Sequence, residues 1–211
     1  MMTREQRQFI QCVAALTMLI DHIGAVFFPT VIGFRAIGRL SFPLFAFGIA
    51  QGVRYTSDFR KYFIRILIAA AVSQPIYMKV FGVTSLNPLF MLAWGALALY
   101  FWRKEKKAFA GILLLGSAFV DMSYGWYGVW TIFFFGFYGF KDSLCFYGQV
   151  IINALYGLTK GAWVQILSLF AFSFLDGKWR IPLLSKKMPR YFFYAFYPLH
   201  LILLWCIKMV F

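Results

Sequence analysis

The sequence predicts an all-α integral membrane protein: a polytopic bundle of about nine transmembrane helices, N-terminus inside, forming one domain over residues 1–211. Three observations carry this reading. The chain is 62% hydrophobic and 13% charged, whereas a soluble domain is nearer half apolar and a quarter charged. A lipid-facing surface absorbs that surplus, and 27 Phe residues suit helix faces against acyl chains. Apolar runs of near-spanning length follow one another along the whole chain, and basic residues gather in the short loops between them.

The runs lie at 9–29, 36–53, 62–81, 88–102, 108–120, 126–140, 144–158, 162–175 and 191–211. A span takes about 20 residues, and several runs, the fifth, seventh and eighth among them, fall short of that. Arg4 and Arg7 precede the first run, but Asp21 and His22 inside it and the lack of a convincing cleavage site make it a retained helix, not a signal peptide. With the N-terminus inside, the inner loops hold Arg4 and Arg7, then Arg54, Arg60 and Lys61, then the basic run 103–107, Lys141, and finally Lys178, Arg180, Lys186, Lys187 and Arg190. Only Arg35, Lys79, Lys160 and Lys208 fall outside, the asymmetry the positive-inside rule requires. Pro43, Pro75 and Pro198 predict kinks within helices. Gly48 and Gly52, four residues apart, predict a close helix–helix approach.

A formal net charge of +14 would suggest nucleic-acid binding in a soluble protein. Here the cations sit at the ends of apolar runs, where anionic lipid headgroups are the partners, and no charged domain outside the membrane exists to hold nucleic acid. Cys12, Cys145 and Cys206 lie in apolar segments without paired or metal-type spacing and read as small buried hydrophobes. Two histidines without a Cys/His cluster predict no metal site. No phosphate-binding glycine loop and no serine nucleophile elbow is present.

An ionisable side chain in hydrocarbon costs about 2.5–3.5 kcal/mol on insertion scales, so each one requires a partner or a task. The candidates are Asp21, His22, Arg39, Arg65, Asp121 and His200, with Gln74, Asn87, Tyr124 and Tyr127 as polar companions. The expected topology puts Asp21 and His22 roughly 10–12 Å below the outer end of the first helix. Arg39, Asp121 and Asn87 share that outer half, Arg65 lies toward the inner face, and His200 lies near the middle of the last helix. Neighbouring helix residues point about 100° apart, so Asp21 and His22 face different surroundings. Asp21 with Arg39 is the expected ion pair, since opposite charges at one depth relieve both burial costs. His22 is then either a general base facing a cavity or a histidine bonded between helices, and the same choice holds for His200. An enzyme, a transporter and a non-catalytic membrane scaffold all remain compatible with such a site.

The blocks LTMLIDHIGAVFFP, FRAIGRLSFPLFAFGIAQG, KYFIRILIAAAVSQPIY, SLNPLFMLAWGAL, DMSYGWYGV and YFFYAFYPLHLILL, in this order, resemble the TraX family over almost the whole chain. TraX proteins are bacterial inner-membrane proteins linked to N-terminal acetylation of conjugative pilin, and the family is similar to transmembrane acyltransferases that use cytoplasmic acyl-CoA. The resemblance implies a multi-pass inner-membrane enzyme that moves an acetyl or longer acyl group from acyl-CoA to an acceptor outside. That acceptor would be a peptide N-terminus, a pilin-like protein, or a hydroxylated glycan or lipid. It implies His22 as catalytic base beside Asp21, Arg39 and Asp121. It directs Arg65, Gln74 and His200 toward coenzyme A, and Asn87, Tyr124 and Tyr127 toward the acceptor. Arg54, Arg60, Lys61 and the run 103–107 would attract the donor phosphates from the inner side. One departure is visible: the family's Asp-Tyr-Gly block is here extended to Asp121-Met122-Ser123-Tyr124-Gly125.

Overall fold

Each predicted run coincides with helix in the computed structural model, which describes residues 3–176 and 191–210. The inner basic group at 178–190 lies outside the described residues. The helices are α1 (Arg4–Phe27), α2 (Ile32–Gly38), α3 (Ser41–Tyr55), α4 (Phe59–Phe81), α5 (Pro88–Arg103), α6 (Lys107–Gly116), α7 (Gly125–Phe137) and α8 (Ser143–Lys160). A 3-10 helix (Trp163–Phe170) then runs into α9 (Ala171–Leu175), and α10 (Phe192–Val210) follows. Four stretches are long and apolar enough to cross a membrane: α1, α2 with α3 taken together, α4 and α10. Among the described residues the rest of the expected nine do not meet that standard. At ten residues, α6 is about 15 Å long, half of a hydrocarbon core of about 30 Å.

Local chemistry explains the ends. Thr3 and Gln6 form a reciprocal cap on α1, Thr3 Oγ1 accepting from the Gln6 amide at 3.2 Å and Gln6 Oε1 from the Thr3 amide at 2.9 Å. The kink expected at Pro43 is a full break: α2 stops at Gly38 and α3 restarts at Ser41. Proline has no N–H to donate, and Pro43 occupies the first turn of α3, where none is needed. Pro75 and Pro198 stay inside continuous helices.

The core is built on α3, α5 and α7, with Phe47, Met91, Leu99, Tyr127, Ile132 and Phe135 almost wholly buried. Gly95 of α5 and Gly128 of α7 permit this contact, because a Cβ at either would strike Ile132 or Met91 respectively. The approach predicted at Gly48 and Gly52 is present at Gly52 only, against the Tyr62 side chain of α4. A Cβ on Gly48 would meet open space, and the Tyr62 hydroxyl fills the room beside Gly52. The outer faces are apolar ridges at helical spacing: Phe109, Ile112 and Leu115 on α6, and Leu144, Tyr147, Ile151, Leu155 and Leu158 on α8. Surfaces of this extent belong against acyl chains rather than water. Cys206 lies on such an exposed face, whereas Cys12 and Cys145 are buried as expected.

The α4–α5 and α6–α7 turns are joined at one end of the bundle, where Leu86 and Met122 form a parallel backbone bridge. Asn87, fully buried, organises this corner. Its Oδ1 caps the Leu89 amide at 3.0 Å, and its Nδ2 donates to the Ala70 carbonyl at 2.8 Å, next to the Ala71 carbonyl that Pro75 leaves without a helical donor. Asn87→Ala removes both bonds and should cost about 2–3 kcal/mol. Asn87→Asp keeps the cap alone and should fall between wild type and alanine. Unfolding curves in detergent measure the order.

Candidate functional site

Asp21 and His22 sit side by side on α1, both buried, and diverge as helix geometry demands. Asp21 turns toward α2. Its Oδ1 accepts from Arg39 Nη2 at 3.0 Å, the pairing expected from sequence, and its Oδ2 accepts from Arg35 Nη1 at 2.7 Å. Arg35, read from sequence only as an outer-loop charge, is thus a second partner, with 38% of its side chain exposed against 12% for Arg39. Gly38 makes room for the carboxylate, since a Cβ there would overlap Asp21. The break at Pro43 also matters. Arg39 is the C-cap residue of α2, and its Nε donates to the Arg35 carbonyl at 3.1 Å, closing the helix end with a cation.

From Arg39 a chain of hydrogen bonds runs into the protein. Arg39 Nη1 donates to Gln165 Oε1 (3.0 Å), and Gln165 Nε2 donates to the Tyr127 hydroxyl (3.2 Å). Tyr127 reaches Asn153 Oδ1 (3.3 Å) and Ser168 Oγ (3.2 Å). Asn153 donates to the Gln149 carbonyl, and Gln149 bonds Thr131. Five residues of this chain escaped the sequence reading, which looked for ionisable groups: Thr131, Gln149, Asn153, Gln165 and Ser168. A signal existed. Tyr127/Thr131 and Gln149/Asn153 are polar pairs at i, i+4 in apolar helices, on one face each. Gln165 and Ser168 are three apart, and in a 3-10 helix residues at that spacing eclipse, so both point the same way.

His22 turns instead toward α4 and α10, against Phe81 (ring centroids 5.0 Å apart) and His200, whose Nε2 lies 2.8 Å from His22 Nδ1. The direction of this bond follows from its neighbour. His200 Nδ1 lies 2.8 Å from the Phe196 carbonyl, which can only accept, so that nitrogen carries a proton. With both rings neutral, His200 Nε2 is then an acceptor, His22 Nδ1–H is its donor, and the lone pair of His22 lies on Nε2. That nitrogen has no hydrogen bond to any described residue. The two histidines placed apart by the sequence reading are therefore one unit, with His200 holding the tautomer of His22.

The remaining residues divide. Tyr124 takes a left-handed backbone (φ 63°) ahead of Gly125 (φ 47°) and stacks on Phe42 at 4.3 Å, an unusual conformation for a bulky residue at a site's edge. Asp121 is exposed and its backbone carbonyl accepts from the Leu86 amide at 3.1 Å; among the described residues its side chain does not join the Asp21 network. Gln74 bonds the Ser85 carbonyl and the Asn87 amide, so both companions of α4 and α5 are engaged in the turn between them. Arg60 and Lys61 are exposed, Lys61 pairing with Asp58.

Arg65 lines a cavity of about 720 Å³ between α1, α3, α4, α5 and α10. Arg4 and Arg7 share its rim at the N-terminal end of α1, and none of the three has an ion-pair partner among the described residues. Gln8, Gln11 and Tyr62 follow, and the deep end is apolar, closed by Leu44, Phe45, Leu89 and Leu92. Gly48 and Gly52 form part of the wall, and Gly48 leaves its side open to the cavity.

Asp21→Ala would strand Arg39 in a buried position and should cost about 3–5 kcal/mol. Adding Arg39→Met should restore part of that loss, and Arg35→Ala, half in solvent, should cost far less. Equilibrium unfolding in detergent of the three variants tests the order.

No curated protein and no solved structure matches this chain. The family model described as TraX protein matches residues 6–208, which includes every residue of the site described above except Arg4. The chain belongs to the TraX family.

Proposed function

We propose that the protein is an acyltransferase of the bacterial inner membrane. It takes an acetyl or longer acyl group from acyl-CoA and passes it to an amine or hydroxyl presented from the opposite side. The observation that carries the reading is a cavity whose three arginines have no ion-pair partner among the described residues and whose far end is apolar, along the face of α1 that also carries His22, with its Nε2 lone pair. Phosphates of coenzyme A suit Arg4, Arg7 and Arg65. The pantetheine arm suits the shaft, whose deep-end residues Phe45 and Leu89 also pack against the cluster around Tyr197 and Leu201, beside His22 and His200. From Arg7 to His22 the helical rise is about 22 Å, so donor headgroup and base belong to opposite halves of the bilayer.

The topology that fits is nine membrane segments with the N-terminus in the cytoplasm, where acyl-CoA is made. Arg4, Arg7 and Arg65 then face the donor, and Arg35, Lys79, Lys160 and Lys208 lie at the outer end. His22 Nε2 accepts the acceptor's proton during attack, with His200 stabilising the charge that forms. Asp21, Arg35 and Arg39 hold α1 in register and set a net positive field beside the reacting carbonyl. Asn87, Gln74 and Tyr127 position these elements, and Tyr124 and Asp121 border the acceptor side. Peptide N-termini, a pilin-like protein, and hydroxylated glycans or lipids are the acceptor classes to screen.

Purified protein in detergent should melt higher as acyl-CoA is added, and His22→Ala should retain that shift while losing transfer. Turnover at the wild-type rate in His22→Ala would remove His22 from the mechanism. Arg7→Ala and Arg65→Ala should weaken acyl-CoA but not acyl-pantetheine, which lacks the nucleotide phosphates. Gly48→Leu projects into the cavity and should raise KM for the donor without loss of stability, since leucine is the better helix former by up to about 1 kcal/mol. No stabilisation by any coenzyme A thioester, with transport of a solute into vesicles, would replace the enzyme reading with that of a transporter.

A further inference from the structure

We propose that Tyr197 is a catalytic residue whose buried hydroxyl donates a hydrogen bond to the carbonyl oxygen of the bound acyl thioester. The inference rests on the acyl-transfer reading above. Tyr197 is 4% exposed, and its hydroxyl has no hydrogen-bond partner among the described residues. A tyrosine buried in apolar surroundings ordinarily finds a partner, because an unmet hydroxyl there is costly. Burial alone is not the signal. The equally buried Tyr127 has its hydroxyl engaged by Gln165, Asn153 and Ser168. An orphaned donor retained in a packed interior points to a group that arrives with the ligand.

Its neighbours say which group. Tyr197 precedes His200 by three residues on α10, so the two share a helix side. Its ring stands edge-on to both histidines, with centroids 5.5 Å from His200 and 6.5 Å from His22. The cluster that contains Tyr197 also receives Phe45 and Leu89, the residues that close the deep end of the cavity. Tyr197 does not itself line the cavity; it belongs to the buried cluster behind Phe45 and Leu89, on the side of the two histidines. A thioester reaching past Phe45 and Leu89 meets a donor and a base together.

The step balances without a further reactant. The acceptor nitrogen or oxygen bonds to the carbonyl carbon, and the carbonyl π pair moves to oxygen, where the Tyr197 O–H donates to it and keeps its own proton. His22 Nε2 takes the acceptor's proton. The oxyanion pair then returns, the C–S bond breaks, and the departing thiolate takes the proton from His22 to leave coenzyme A and the acylated acceptor.

Tyr197→Phe deletes only the hydroxyl, and the outcomes separate the roles. The expected result is an unchanged or higher melting temperature for the ligand-free protein, unchanged acyl-CoA affinity, and kcat lower by about 10²–10³. With carbonyl-labelled acetyl-CoA bound, the C=O stretch should lie at lower frequency in wild type than in Tyr197→Phe. A lower melting temperature with unaltered kcat would assign the hydroxyl to the fold and overturn the proposal, as would an unshifted carbonyl stretch. Wild type stabilised by acyl-CoA beside a fully active Tyr197→Phe overturns this assignment alone. Wild type indifferent to acyl-CoA overturns the acyl-transfer reading as well.

Discussion

Asp21 offers two carboxylate oxygens to the interior of an apolar bundle, and each is taken by a guanidinium from one short helix. Much of the architecture depends on this grip. A buried carboxylate without partners is too costly to keep, so α2 must lie across the end of α1, Gly38 must lack a side chain, and the chain must break before Pro43 to bring Arg39 back. Because Arg39 also donates to Gln165, the ion pair extends as a neutral hydrogen-bonded chain through the 3-10 helix into α7 and α8. Charge is thus confined to one point, and the deeper polar atoms are satisfied by uncharged amides and hydroxyls, the less costly way to carry polarity through apolar surroundings.

The same helix turn that commits Asp21 to α2 commits His22 to α10. A change in the pitch or rotation of α1 would disturb both, which couples the Asp21 ion pair to the histidine pair without any contact between them. His200 accepts from His22 and is itself oriented by the Phe196 carbonyl, an arrangement in which a backbone acceptor ultimately decides which nitrogen is basic. The cavity runs along the same face of α1 that carries His22, eleven residues or about three turns beyond Gln11, so cavity and histidine share one face of the helix and the ion pair takes another.

Much of this was legible in the residues. Asp21, His22, Arg39 and His200 were conspicuous because ionisable groups are rare in apolar helices, and a depth argument sufficed to pair Asp21 with Arg39. The apolar runs located most of the helices because lipid-facing and core-facing surfaces are both hydrophobic, but the short α2, lying mostly between the first two runs, went unread. That same uniformity hid other features. It concealed the length of the weaker helices, the partnership of two histidines separated by 178 residues, and the fact that Gly48 faces a cavity while only Gly52 meets a neighbouring helix. Gln165, Ser168, Gln149 and Asn153 went unread because uncharged polar residues are tolerated singly in membrane helices, and only their shared faces make them a network.

Composition and charge by themselves determined that the chain is helical, apolar on its outside and obliged to pair a few buried charges, because those are consequences of solvation free energy that act on each segment separately. Which pairs form, which nitrogen of His22 keeps its lone pair, and that the Tyr197 hydroxyl stands without a partner among the described residues were decided only by the tertiary structure. Hydrogen bonds depend on ångström distances and directions between helices, and no property of an isolated segment contains them.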